Sequence, residues 1–153
     1  MIRVAVQTER FDQGAELDAL AETGAGAVAS FLGIVRADGD IAYPDRRVVA
    51  LELEQYPGMT VAALRSLAET ANERFDLTGA VVIHRIGKLE AGAPIVLAAT
   101  AAPHRAAALD ACAFLIDRLK TQAPFWKKQH FADGSAKWVE AKASDDARAA
   151  GWE

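Results

Sequence analysis

Apolar and polar residues change period several times along the chain, and each change marks an element. Residues 3–7 alternate as a short strand. Asp12 then stands as the N-cap of a helix reaching about Glu22, with Leu17 and Leu20 on its inner face. After Gly24 and Gly26, residues 28–36 (VASFLGIVR) are apolar and partly β-branched, a strand feeding residues 37–47, which hold Gly39, Pro44 and five charged side chains. That composition predicts a mobile loop. Residues 48–56 alternate again, with Val49, Leu51 and Leu53 on one face and Glu52 and Glu54 on the other, until Pro57 and Gly58 break the strand. Over residues 60–75, Val61, Leu64, Leu67, Ala68, Ala71 and Phe75 recur at steps of three and four, which predicts a helix with one buried stripe.

Two near-continuous apolar runs follow, residues 80–86 and 95–101, separated by the turn-rich residues 87–94; they predict a central hairpin buried on both faces. Over residues 104–121, Ala108, Leu109, Cys112, Leu115, Ile116 and Leu119 form the stripe of a second long helix, which stops before Ala123 and Pro124. Residues 125–131 and 137–142 read as a last hairpin around Asp133 and Gly134, leaving a polar tail over residues 144–153. Strands and helices interleave without strict βαβ repetition. The predicted fold class is therefore α+β, a single domain over residues 1–153 with a mainly antiparallel sheet and about three helices. The glycines form neither GxGxxG nor a P-loop.

Composition agrees with one globular domain: 153 residues, 52% hydrophobic and 25% charged, enough to build a core without disulfides or a structural metal. Seventeen basic against 21 acidic side chains give a formal charge of −4, with no basic stripe, so nucleic acid is not an expected partner. The N-terminus lacks a continuous apolar segment and no later run reaches membrane-spanning length, so neither export nor membrane insertion is expected. Cys112 is the single cysteine, which excludes an internal disulfide and any multi-cysteine metal site and points to a reducing, cytoplasmic setting.

The candidate chemistry is cationic. Pro103, His104 and Arg105 open the second long helix behind Ala102, a poor N-cap, so its first amides lack a side-chain acceptor. Free amides beside an imidazole and a guanidinium suit a phosphate or carboxylate, although a solvated helix end explains the same residues. Lys120 ends that helix and borders its buried stripe, seven residues beyond Ala113 and four beyond Ile116, while Arg118 points away. Lys127 and Lys128 follow on a strand and must face opposite sides, Lys127 sharing the face of Phe125. Lysines near a helix C-terminus or on an exposed strand need no functional reason. Arg36 ends a strand and precedes the loop, where a cleft-lining side chain or an ordinary strand-end arginine are equally served. His84, His130 and Cys112 share no ligand spacing, and Cys112 sits in an apolar stripe, so a zinc site and a cysteine nucleophile are both rejected.

The segments FLGIVR (31–36), LELEQYPGM (51–59), VIHRIG (82–87), PHR (103–105), LKTQAPFWKK (119–128) and WVEAK (138–142) together resemble the large, catalytic subunit of molybdopterin synthase, the MoaE family, over nearly the whole chain. The resemblance implies an α/β-hammerhead-like fold and a sulfurtransferase reaction: cyclic pyranopterin monophosphate receives two sulfurs and becomes the dithiolene of molybdopterin. It implies a small ubiquitin-like sulfur-carrier subunit whose C-terminal Gly-Gly thiocarboxylate enters a pocket of this chain, and a homodimer of large subunits at the centre of a heterotetramer. No cofactor, metal, nucleic acid or membrane is implied. By the same resemblance Lys120 and Lys127 are the catalytic pair, Lys120 for proton transfer or covalent bonding and Lys127 for stabilising negative charge. Acting as a base or nucleophile, Lys120 needs its pKa brought down from about 10.4, which a neighbouring ammonium and partial burial promote. Arg36, His104 and Arg105 would hold the phosphate end of the substrate in one pocket with the lysines, and Phe31 would wall it. Where the family carries arginine in the WVEA segment, this chain has Lys142, which keeps the charge but not a bidentate clamp. Two other readings remain open at this stage: a non-catalytic module binding a ubiquitin-like protein or an anionic metabolite, and a lysine-dependent Schiff-base enzyme acting on a phosphorylated carbonyl compound.

Overall fold

The computed structural model describes residues 1–37, 47–139 and 143–152, without the side chains of residues 143–146. The loop expected over residues 37–47 therefore lies outside the described residues except for Ala37 and Arg47, and so does Lys142.

The strands of the described residues form two four-stranded sheets. The first takes β1 (Ile2–Gln7), β4 (Gly79–Arg85), β6 (Pro94–Ala102) and β2 (Ala27–Ile34) in the order β1-β4-β6-β2. In this sheet β1 and β4 pair in parallel, and β4–β6 and β6–β2 are antiparallel. The second takes β5 (Gly87–Glu90), β3 (Val48–Gln55), β7 (Phe125–Phe131) and β8 (Ala136–Trp138) in the order β5-β3-β7-β8, all antiparallel. The expected buried hairpin is the β4–β6 pair, and every residue of β4 is buried. Its connection is more than a turn, because β5 leaves the first sheet and pairs with β3 in the second.

Alternation along β4 explains how the helices cover the first sheet. Ala80 and Val82 face a core shared with Leu64, Leu67, Ala68 and Ala71 of α2 (Met59–Phe75) and with Phe114, Leu115 and Leu119 of α3 (Arg105–Gln122). Val81 and Ile83 face the other way, onto Leu17 and Leu20 of α1 (Gln13–Ala21). The predicted cap of α1 is present, with Asp12 Oδ1 accepting from Ala15 N at 3.0 Å.

The structure changes several expectations. Val61 and Leu109 were placed in buried stripes, yet both are exposed, Leu109 at 60%. The inward position of the first turn of α2 belongs to Thr60, whose hydroxyl accepts from Tyr56 N (3.0 Å) and donates to Pro124 O (2.7 Å), tying α2 to the corner between α3 and β7. On α3 the buried line runs through Ala108, Ala111, Cys112, Leu115 and Leu119, so Leu109 lies a hundred degrees off it. Arg118, expected to point outward, lays its guanidinium over Phe114, with Cζ 4.9 Å from the ring centroid. In place of a polar tail there is a fourth helix, α4 (Ala143–Ala150), followed by Trp152, which packs edge-on against Phe75 and Phe114. Trp152 Nε1 donates to Asp117 Oδ2 at 2.7 Å, and Arg148 pairs with the same carboxylate at 3.3 Å.

One glycine sets a corner that matters for the site. Gly26 N donates to Ala102 O at 2.9 Å, and a Cβ there would collide with the carbonyl oxygen of Pro103, immediately before His104. Gly26→Ala is expected to cost about 1–3 kcal/mol by forcing the β6–α3 turn outward, read as a lowered urea midpoint at unchanged slope; a wild-type midpoint would show that the turn yields freely.

Candidate active site

The lysine pair forms where α3 gives way to β7. Lys120 lies in the last turn of α3 on the flank of Ile116, exposed at its end. β7 then runs antiparallel to β3 with Lys127 opposite Leu53 and Phe125 opposite Gln55, so Lys127 and Phe125 share the face turned towards the core. Lys128 pairs with Glu52 and Trp138 across the neighbouring strands, and its ammonium lies 5.4 Å from the Trp138 ring centroid. The opposed facing of Lys127 and Lys128 is thus present. A surface recess between Glu54, Trp126 and Trp138 lies on the Lys128 side of β7.

At the centre of the corner is His84, near the end of β4 and 3% exposed. Its ring stacks on Phe125 with centroids 3.9 Å apart and planes at 26°. Nδ1 lies 2.8 Å from Arg85 O; a carbonyl only accepts, so Nδ1 carries the proton and donates. Burial lowers the pKa of His84 from 6.5 to about 3, the bond to Arg85 O opposes that shift, and the positive charges of Lys127 and Lys120 lower it further. Both lysines therefore act on one imidazole from two different elements, and that imidazole is neutral at physiological pH. Metal-ligand spacing does not single out His84. The signal available was a histidine inside a fully apolar strand, which has to find polar partners when buried.

The other expected site residues divide into two groups. The strand register aligns His84 with Val96 and Val96 with Gly33, so Arg36, three residues past Gly33 and exposed, sits at the lysine end of the first sheet. Phe31, opposite Ala98 and 37% exposed, lies two residues back along β2. His104 and Arg105 are exposed at the opposite end. The N-cap of α3 is His104 and not Ala102, because the backbone stays extended through His104 (φ −133°, ψ 154°) and the helix begins at Arg105; His104 makes no side-chain capping bond, and 15 helical steps separate Arg105 from Lys120, about 22 Å along the axis. The single pocket expected for all five cations is therefore not built within one chain; the rigid helix holds the anion-suited start and the lysine end apart.

The remaining candidates have structural explanations. His130 Nε2 lies 2.8 Å from Glu52 Oε1 on the outer face of the second sheet. Cys112 is buried with Sγ 3.6 Å from Ala98 O, and burial pushes its thiol up from 9.0 to about 11, so it stays protonated. Among the described residues no three His, Cys, Asp or Glu side chains cluster as metal ligands, and no helix is long and apolar enough to cross a membrane.

Residues 6–122 match the family model described as MoaE protein. The chain belongs to the MoaE family. A molybdopterin synthase catalytic subunit from Rhizobium meliloti (strain 1021) is 50% identical over 154 residues, covering 99% of this chain and 96% of the relative. The solved structure of a molybdopterin biosynthesis MoaE protein from Burkholderia ambifaria MC40-6 superposes with a TM-score of 0.81 at 43% identity, covering 99% of this chain and 98% of the other. The same fold, at a TM-score of 0.66 and 21% identity over 93% of this chain and 90% of the other, occurs in a complex of subunits 1 and 2 of the molybdopterin-converting factor from Helicobacter pylori 26695.

Proposed function

We propose that this chain is the catalytic subunit of a molybdopterin synthase, converting cyclic pyranopterin monophosphate to molybdopterin with sulfur taken from the C-terminal thiocarboxylate of a small ubiquitin-like partner. The observation that carries this reading is the match to the MoaE family with 50% identity to a molybdopterin synthase catalytic subunit over 99% of the chain, and the meeting of α3, ending in Lys120, with β7, which turns Lys127 and Phe125 to the core side, supports it. Both reactants are anionic, and a local cluster of ammonium groups attracts them despite the net charge of −4. The thiocarboxylate sulfur bonds to a pterin carbon and displaces an oxygen substituent there, and water then adds to the acyl carbon, whose C–S bond breaks to leave sulfur on the pterin and a carboxylate on the partner. Lys127, held on the core-facing side of β7, stabilises the negative acyl oxygen in that second step, and Lys120, at the exposed helix end, transfers the proton or forms a covalent bond with the pterin. Cys112, protonated and buried, is no sulfur carrier, so the donor is another molecule. The setting we assign is the cytoplasm.

The phosphate end of the pterin is assigned to Arg36, His104 and Arg105. Because about 22 Å of helix separates the last two from Lys120, a second copy of the chain has to bring its helix start to this lysine corner for one substrate to touch both. A homodimer is thus a requirement of the assignment, and Lys142 belongs with the same anion-binding set.

The test of the reading is reconstitution: the purified chain mixed with cyclic pyranopterin monophosphate and thiocarboxylated partner, with the dithiolene followed by fluorescence of its oxidised derivative. Product is expected only when all three are present. Binding of partner without any product would leave a docking module instead, and borohydride trapping of a lysine adduct without partner protein would favour the Schiff-base enzyme. In this assay Lys127→Ala is expected to lower kcat about a hundredfold, whereas Lys128→Ala, whose ammonium lies over Trp138 on the other face of β7, stays within about threefold of wild type. Equal losses in the two variants would contradict the opposed facing as a functional distinction.

A further inference from the structure

His84 has no part in the chemistry assigned so far, yet it is the most buried ionisable group near the lysines. Every polar feature around it is directional. Nδ1 is committed to Arg85 O, which fixes the ring's tautomer and leaves Nε2 an acceptor. Phe125 covers one face of the ring and, two residues further along the same side of β7, the chain presents Lys127. The neighbouring strands contribute Val6 from β1 and Val96 from β6 at the level of His84, and among the described residues the charges that act on it are those of Lys127, on the Phe125 face of β7, and Lys120, at the end of α3. The Arg85 guanidinium is turned to the other side of the sheet, where it donates to Thr8 O and Pro94 O.

We propose that His84 is a positioning residue for sulfur transfer: its imidazole, locked by Arg85 O and Phe125, is the fixed floor of the lysine corner and offers an acceptor, instead of a third cation, to the ammonium groups. A protonated histidine here would repel both lysines and the groups they bind; an apolar ring would remove the acceptor that Nε2 offers on this side of the corner. Holding an ammonium in one place matters because charge stabilisation falls steeply when a donor is displaced from the atom that becomes negative. The inference rests on the catalytic assignment of Lys120 and Lys127, and its test separates the two.

The experiment compares His84→Phe, which keeps the ring and its stack but removes both nitrogens, with His84→Gln, whose side-chain amide restores an acceptor near the position of Nε2. Three readouts are taken: kcat and KM for the pterin in the reconstituted assay, the rate at which acetic anhydride labels Lys127 by peptide mass spectrometry, and the melting temperature. His84→Phe is expected to lower kcat about tenfold or more with KM within about twofold. It should also accelerate labelling of Lys127 about threefold, because an ammonium facing an apolar ring is disfavoured, while labelling of the remote Lys88 stays constant. His84→Gln should recover most of the lost kcat. Wild-type kcat and labelling in His84→Phe would overturn the proposal, as would losses in both variants that merely follow the melting temperature. If His84→Phe fails to fold, His84→Asn, which can keep the bond to Arg85 O but ends short of the lysines, carries the same expectation and the same refutation. Full activity in Lys120→Ala and Lys127→Ala would instead sink the catalytic assignment itself, whatever the His84 variants do.

Discussion

Lys120→Ala is expected to abolish sulfur transfer while leaving the fold intact, with a loss in kcat of about a thousandfold, the range in which removal of a positioned acid–base group falls. The structural half of this expectation follows from exposure. Lys120 stands at the exposed end of α3, outside the line of Ala108, Cys112, Leu115 and Leu119 that packs the helix onto the first sheet. Replacing an exposed side chain of this kind changes stability by about half a kcal/mol or less, so the melting temperature and urea midpoint should match wild type. The functional half follows from position: Lys120 ends α3 where the chain turns into β7, so its ammonium is placed to meet whatever enters the corner between the two elements. The decisive measurement is single-turnover dithiolene formation with saturating thiocarboxylated partner, which removes binding and product release from the comparison. Turnover within a few-fold of wild type would take Lys120 out of the mechanism, and a parallel loss of melting temperature would make its role structural.

The parts of this site that can be read in the sequence are those governed by local periodicity. The helical step from Ile116 to Lys120 and the alternation of Phe125, Trp126, Lys127 and Lys128 place each lysine on its own element, and those placements hold in the structure. What periodicity does not carry is distance between elements. The same helix that correctly carries His104, Arg105 and Lys120 also separates them, a consequence available from its length alone once the helix is accepted. His84 escaped for a different reason, since its role depends on Phe125 and Arg85 O, one of them 41 positions away in the chain. Similarly, α4 has few apolar anchors of its own; a short helix is marginal without tertiary contacts, and those come from Trp152 on Phe75 and Phe114 and from Arg148 on Asp117. The strand β5 is four residues long, too short to show a period, and is defined by its pairing with β3.

Phe114→Ala should be the complementary variant, costly to the fold and indirect in its effect on chemistry. Phe114 is completely buried and meets Phe75 and Trp152 edge-on, at centroid distances of 5.6 and 5.7 Å. Two guanidiniums cover its ring, Arg118 at 4.9 Å and Arg74 at 5.2 Å, and Arg74 Nη1 also donates to Trp152 O at 2.7 Å. Truncation leaves a cavity beneath charged groups that cannot collapse into it without losing hydration, so the cost belongs to the upper part of the usual range for buried aromatics, about 4–5 kcal/mol, with a fall of roughly 10 °C in melting temperature. Because the cavity lies between α2, α3 and the Trp152 anchor, the C-terminal helix should loosen first, seen as faster amide exchange over α4 than over β4 and β6. At a temperature where the variant remains folded, kcat should stay within a few-fold of wild type, since neither Lys127 nor His84 is supported by that ring. A variant that keeps wild-type stability would mean that the aromatic cluster repacks around the void; one that is fully folded yet inactive would mean that the Phe114 side of α3 governs where Lys120 points.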